Sequence, residues 1–243
     1  MSEIFGLHAV DAALSAAPER IRVLYVQKGG REARKQTLID KARAAGVRVE
    51  FVERRWLDSR VQGAHQGVVA ESQALALADE KTLEARWAEL PRPRLVLALD
   101  GIQDPRNLGA CLRSAGAAGV QIVLLPKRNS APLSPAALKT AAGVAESLFI
   151  VAVSNLSRRL EWFKEQGAWI IGAAGDAPRR YFDADFTADT VLVVGGEEKG
   201  LRRLTREHCD HLVGIPMAGG VESLNVSVAA GVLLFEVVRQ RAR

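Results

Sequence analysis

Three stretches of this chain carry more polar chemistry than a packed core needs. The first reads Asp100-Gly101-Ile102-Gln103-Asp104-Pro105-Arg106-Asn107-Leu108-Gly109, with Arg113 one turn further on. Asp104 is a good N-cap and Pro105 a good first helical residue. On the helix they begin, Arg106, Gly109, Ala110 and Arg113 recur at spacings that share one face. Two guanidinium forks beside a strip with almost no side chain let a phosphate or backbone approach and be gripped. A solvated basic face with small residues for helix packing has the same pattern. The second stretch is Gly195-Gly196-Glu197-Glu198-Lys199-Gly200-Leu201. Leu201-Arg202 stands where a Walker loop requires Lys and Ser or Thr, and the glycines are misplaced for a dinucleotide fingerprint. Two carboxylates in a glycine loop repel phosphates. They suit a neutral or cationic ligand rich in hydroxyl and amine donors; a plain left-handed turn with surface acids reads equally well. The third stretch runs Ile215-Pro216-Met217-Ala218-Gly219-Gly220-Val221-Glu222-Ser223-Leu224-Asn225-Val226-Ser227. Ser223 is expected to cap the last helix, with Asn225 in its first turn, making a cradle of amides, hydroxyls and free N–H groups. A well-capped helix alone accounts for this too. Yet Asn225 and Ser227 break an apolar stretch, which costs burial unless they are partnered.

Such loops need a scaffold. From residue 95 onwards, short apolar runs alternate with helical patterns. Strands are expected at 95–99, 121–125, 148–153, 169–172, 191–194 and 212–215, and helices at 105–118, 135–142, 156–166, 201–208 and about 223–241. This alternation predicts an α/β fold with a mostly parallel sheet covered on both faces and ligands beyond the carboxyl ends of its strands. The three polar stretches each follow one of those strands. Residues 1–74 alternate helices (6–17, 31–45 stopped by Gly46, 56–60) with strands (21–26, 47–52, 67–70), a smaller α/β unit. Residues 75–94 are mixed in charge and end in Pro91-Arg92-Pro93, which reads as a stiff, extended linker rather than a helix. The expected division is therefore a domain at 1–74, a linker at 75–94 and a larger domain at 95–243.

Composition narrows the class. The chain has 243 residues, 48% of them apolar, and a net charge of +5; arginine supplies 25 of its 33 basic side chains. That balance is compatible with a nucleic-acid partner. Two cysteines, Cys111 and Cys209, leave no disulfide framework. The polar start Met1-Ser2-Glu3 shows no signal peptide, and the most apolar stretch, 224–238, is broken by Asn225, Ser227 and Glu236, so a membrane span is not expected. A reducing cytoplasm is the expected location. The run Glu207-His208-Cys209-Asp210-His211 crowds its ligands with no second cluster and is not read as a metal site. Cys111 reads as packing. His8 and His65 suit local structural roles at least as well as RNA contact. Trp56, Trp87, Trp162 and Trp169 read as core or dimer contacts rather than base platforms.

Taken together, the three stretches resemble the SpoU branch of the SPOUT RNA methyltransferases. The family's motifs appear in order as Asn107-Leu108-Gly109 with Arg113, as Gly195-Gly196-Glu197 with Gly200-Leu201, and as Ile215-Pro216-Met217 with Ser223-Leu224-Asn225-Val226-Ser227. Residues 1–74 are similar to the family's substrate-binding domain of the L30e type, including Gly6-Leu7-His8-Ala9-Val10 and His65-Gln66-Gly67. The resemblance implies a trefoil-knotted C-terminal domain, a homodimer, and S-adenosylmethionine as methyl donor without a metal. It implies 2′-O-methylation of a guanosine ribose in 23S ribosomal RNA, at the peptidyl-transferase P-loop. Alternatives are a transfer-RNA 2′-O-methyltransferase of the same family and a non-catalytic RNA-binding assembly factor. By similarity, Gly195, Ile215, Leu224 and Met217 would hold the donor, and Arg106 and Ser223 would contact substrate. Catalysis would fall to Arg113, Asn107, Glu197 and Asn225. A neutral arginine is costly, because guanidinium keeps its proton above pH ~12. Arg113 is therefore expected to stabilise the developing alkoxide and grip a phosphate. Asn107 and Asn225 would orient Arg113 and the ribose, and Glu197 would fix the arginine or accept a proton.

Overall fold

The computed structural model describes residues 2–29, 33–73, 75, 77–197 and 199–242. Of the residues read above, Met1, Gly30, Arg31, Glu32, Ala74, Ala76, Glu198 and Arg243 lie outside them. The chain forms two compact units. The first comprises Met1–Ala76 with Leu133–Ser147, the second Leu77–Pro132 with Leu148–Arg243.

In the first unit the elements run β1 (Ser2–Phe5), α1 (Leu7–Ala16), β2 (Ile21–Gln27), α2 (Ala33–Ala44), β3 (Arg48–Val52), α3 (Arg54–Arg60) and β4 (Val68–Ser72). The sheet order is β1-β4-β2-β3, with β2 and β3 parallel and β4 antiparallel to both its neighbours. Every second residue of a strand faces the same way, so Leu24, Val26, Val68 and Ala70 join Val10, Leu14, Leu38 and Ile39 of α1 and α2 in one core. On the opposite face Leu57 of α3 packs with Val69, Tyr25 and Trp56. The edge strand β1 was not expected from its polar residues. The two motif stretches of this unit meet: Gln66 Oε1 accepts the Leu7 N–H at 2.9 Å, at the start of α1. Buried His65 accepts the Gly67 N–H at Nδ1 and meets Asp58 through Nε2, each at 2.9 Å, so it braces the turn; His8 is exposed.

The second unit continues with α4 (Glu80–Glu89), β5 (Leu95–Asp100), α5 (Pro105–Ala117), β6 (Ile122–Pro126), α6 (Pro135–Ala141), β7 (Phe149–Val153), α7 (Leu156–Glu165), β8 (Trp169–Ala173), β9 (Arg179–Arg180), β10 (Thr190–Gly195), α8 (Arg203–Glu207), β11 (His211–Gly214) and α9 (Val226–Arg241), of which α6 belongs to the first unit. Its seven strands lie in the order β7-β6-β5-β10-β8-β11-β9, and every neighbouring pair is parallel. The apolar runs of β5, β6 and β10 are buried end to end, as strands covered on both faces must be. One face carries Leu83 and Trp87 of α4 and Leu160 and Phe163 of α7 against Val96, Ile122, Val151 and Val191. On the other, α9 packs against α5 and β10, burying Leu233, Leu234 and Val237.

Three segments depart from the sequence reading. Residues 80–89, placed in an extended linker, are helical; Asp79 caps them by accepting the N–H groups of Lys81 and Thr82, and the helix ends before Pro91. Residues 77–94 belong to the second unit. The helix at 135–142, read inside the larger domain, is α6 and lies with the first unit, where Lys139 stands over the Phe5 ring and Glu146 pairs with Arg20. The last helix starts at Val226, not 223: its cap is Asn225, whose Oδ1 accepts the Ser227 N–H at 2.9 Å. Ser223 remains in the preceding loop. No helix among the described residues is long and apolar enough to cross a membrane.

Candidate active site

Because the sheet is wholly parallel, the segments after β5, β10 and β11 emerge at one end. Two glycines let the second of them close. A Cβ on Gly195 would lie 2.0 Å from the Gly200 carbonyl carbon, and one on Gly196 would lie 2.6 Å from the Gly101 oxygen. The first glycine allows the loop to fold onto itself. The second lets the ends of β5 and β10 touch. Asp100 locks the result. Its carbonyl accepts the Gly196 N–H at 3.1 Å, and its carboxylate accepts the Arg202 N–H at 3.0 Å and Nε–H at 2.7 Å.

This closure brings distant polar groups together. Asn107 Nδ2 donates to Glu197 Oε1 at 2.7 Å, and Asn225 Nδ2 donates to Asn107 Oδ1 at 3.0 Å. Ser227 supplies its hydroxyl to Asn225 Oδ1 at 2.6 Å. Each amide passes its dipole in the same sense, so the line from Ser227 through Asn225 and Asn107 ends on a carboxylate. Burial pushes the Glu197 carboxyl up. The Asn107 hydrogen bond and backbone N–H groups around it outweigh that and hold it below its usual range. Glu197 is therefore an ionised acceptor. Its second oxygen has a longer contact, 3.4 Å, from the Gln103 N–H.

The line bridges two cavities. One, of about 550 Å³, is lined by Gly195, Ile215, Met217 and Leu224, with Ser223, Glu197 and Asn225 at its polar side. The four residues expected at the donor thus surround a single space. Small residues at the end of β8 and just beyond it, Ala173 to Gly175, complete its wall and were missed; a run of small residues closing an apolar strand was their only signal. The other cavity, of about 540 Å³, is lined by Gln103, Asn107, Glu197, Asn129 and Arg202 among others. Asp100, Asn129 and Arg202 were not singled out from sequence.

Arg106 and Arg113 are not brought to either cavity. Both are exposed on α5, and Arg113 makes no hydrogen bond or ion pair among the described residues. The expected contact of Glu197 with Arg113 is replaced by Asn107, which lies on a different face of the helix. The cysteines are poor nucleophiles: burial pushes both thiols up to about 12. In the stretch 207–211, Asp210 accepts the Ile170 N–H and pairs with Lys164, His211 stacks on Trp169, and Cys209 donates to the Thr205 carbonyl. Trp87 and Trp162 pack with Phe163, and Trp56 lies against Tyr25.

Polar loops that enclose paired cavities at the carboxyl end of a parallel α/β sheet stand where such folds bind their ligands. The sequence model of the SpoU rRNA methylase family matches residues 94–235, and that of the RNA 2′-O ribose methyltransferase substrate-binding domain matches residues 4–78. The chain belongs to the SpoU rRNA methylase family. It is 48% identical to the 23S rRNA (guanosine-2′-O-)-methyltransferase RlmB of Pseudomonas putida over 99% of this chain and 97% of that one. It is 47% identical to RlmB of Escherichia coli K12 over the whole of both. Among solved structures, the SpoU methyltransferase AviRb of Streptomyces viridochromogenes in complex with its cofactor AdoMet superposes with a TM-score of 0.80 at 25% identity, covering 99% of this chain and 90% of that one.

Proposed function

We propose that this protein methylates the 2′-hydroxyl of a guanosine ribose in 23S ribosomal RNA, using S-adenosylmethionine, and that it works in the cytoplasm at the P-loop of the peptidyl-transferase centre. The observation that carries this is the line Ser227–Asn225–Asn107–Glu197 joining two cavities. The cavity at Gly195, Ile215, Met217 and Leu224 fits the donor: apolar walls suit an adenine, a backbone without Cβ allows close approach, and the carboxylates of Glu197 and Glu222 suit hydroxyl groups and positive charge. When bound there, S-adenosylmethionine supplies an electrophilic methyl group. The neighbouring cavity takes the acceptor ribose.

The residues then divide the work. Asn107 and Asn225 fix the carboxylate and the ribose, so that positioning lowers much of the barrier. Glu197 Oε2 takes the 2′-hydroxyl proton as the oxygen attacks. Arg113 stabilises the developing alkoxide and grips an adjacent phosphate, with Arg106 and Ser223 also on the RNA. Since Arg113 faces away from its own cavities, we assign it to the site of a second copy. Val228 and Phe235, half exposed on α9, flank Gly231, which lies over Ser114, the residue after Arg113. This apolar stripe is the proposed homodimer face. Residues 1–74 act as the RNA-binding domain, and the larger domain carries the trefoil knot.

Mapping of 2′-O-methyl groups after incubating the protein and donor with RNA from a deletion strain tests the reaction. A new mark at a 23S guanosine is expected; marks confined to transfer RNA, or donor binding without transfer, overturn it. Mixing Arg113→Ala and Glu197→Gln chains, each nearly inactive by itself, tests the shared site. Random re-pairing should restore about a quarter of the activity, because half the dimers hold one intact site of two. No recovery would return Arg113 to its own subunit.

A further inference from the structure

A third cavity, of about 500 Å³, lies over the carboxyl ends of β6 and β7. It adjoins the Asn107–Glu197 cavity and shares Asn129 and Arg202 with it. The three spaces form a row along the carboxyl end of the sheet. Their charges differ. The third is lined by the guanidinium groups of Arg128, Arg202 and Arg203 and, among the described residues, by no carboxylate. Ser154, Asn155 and Ser157 add hydroxyl and amide groups.

The arginine at the junction is rigidly held. Arg202 places Nε and Nη2 on Asp100 Oδ1, at 2.7 and 2.6 Å, and Asp100 is 1% exposed. One edge of the fork is thereby fixed, while the side chain stays 45% exposed to the cavities. Arg203 is braced by Glu207 at 2.6 Å yet is 77% exposed. Arg128 is exposed and has no hydrogen bond or ion pair among the described residues. The bend between the two cavities is set by Asn129, at φ 57°, whose carbonyl accepts Gln103 Nε2 at 3.0 Å.

We propose that this third cavity binds phosphodiester groups of the RNA strand next to the methylated nucleotide, with Arg202 at the junction and Arg128 and Arg203 beyond it. Planar forks match phosphate oxygens, and a lining without carboxylates offers them no repulsion. Strands in a sheet are about 4.8 Å apart, so a centre over β6 and β7 lies on the order of 5–10 Å from one over β5 and β10. That is a short step along an extended strand. The inference rests on RNA being the methyl acceptor and adds where the strand leaves the site.

The test uses the full-length Arg128→Ala/Arg203→Ala variant and a 23S rRNA hairpin fragment, with binding followed by fluorescence anisotropy across a salt series. Both positions are exposed, so the thermal midpoint should hold. The slope of log affinity against log salt should fall by about 1.4, at about 0.7 for each single-strand phosphate contact. The KM for RNA should rise while S-adenosylmethionine binding, read by calorimetry, is unchanged. A slope equal to that of the parent protein overturns the inference. So does inorganic phosphate binding to the parent and not to the variant without displacing RNA, which would mark an isolated anion site. If the parent binds S-adenosylmethionine but neither binds nor methylates the RNA, the proposed function itself falls, a result distinct from an unchanged slope.

Discussion

At the scale of single residues, the decisive group is the Glu197 carboxylate and the amide that holds it. Asn107 keeps it ionised against burial. A function that needs the carboxylate is present above its folded pKa and lost as pH falls through it. In Asn107→Ala only burial and the backbone N–H groups remain, so the acidic limb of single-turnover methyl transfer should move toward neutral pH. An unmoved limb would remove Glu197 from the proton path. Glu197→Gln should slow the same step by roughly 10²–10⁴-fold. The two thiols, pushed up to about 12, should alkylate with iodoacetamide far more slowly in native protein at pH 8 than in denatured protein. Glu197 and Asn225 stood out because each is a polar residue stranded in a glycine loop or an apolar helix start, whereas Asn107 entered only through the family resemblance. Asp100 and Arg202 were not, because they are 102 residues apart and each alone is unremarkable in type. Spacing put Arg106 and Arg113 on one face of α5, but spacing cannot say whether that face looks into its own site or away from it.

Elements show a different limit. The parallel strands were legible because apolar runs of that length, separated by helices, have few other places to go. Helix α4 was not. Its Leu83 and Trp87 stand one turn apart among five charged residues in ten, and the nearby prolines drew the reading toward an extended link. Yet Leu83 is fully buried, beneath the sheet face that also holds Phe163. Leu83→Ala should therefore destabilise the second unit by about 2–5 kcal/mol in urea unfolding, as a cavity in a packed core does. A true linker would lose almost nothing. In the glycine loop, Gly196→Ala should weaken S-adenosylmethionine binding, measured by calorimetry, and slow transfer, because its Cβ meets the Gly101 carbonyl. A methyl group in place of hydrogen at Gly219, where nothing lies within 4 Å, has no such clash. The start of α9 teaches a related point. Ser223 and Asn225 are both good caps by type, and only the Asn107 amide, from another element, decides between them.

For the whole molecule, the chain order and the spatial order differ. Residues 133–147 sit in the sequence between β6 and β7 of the second unit, but they pack with the first. Glu146 there is buried against Arg20, so Arg20→Ala should destabilise the first unit by about 3–5 kcal/mol, with the second unit's transition less affected. Coincident loss of both transitions would show that the units do not unfold separately. The segment also bears on how the protein is made. As the chain leaves the ribosome, the first sheet is finished by residue 72, but the helix that covers β1 arrives only after β5 and β6 have emerged. The amino-terminal unit must wait, incomplete, for a piece carried by its neighbour. A nascent chain halted between residues 77 and 132 should accordingly be cut readily by protease within its first 76 residues, and resist once synthesis has passed residue 147.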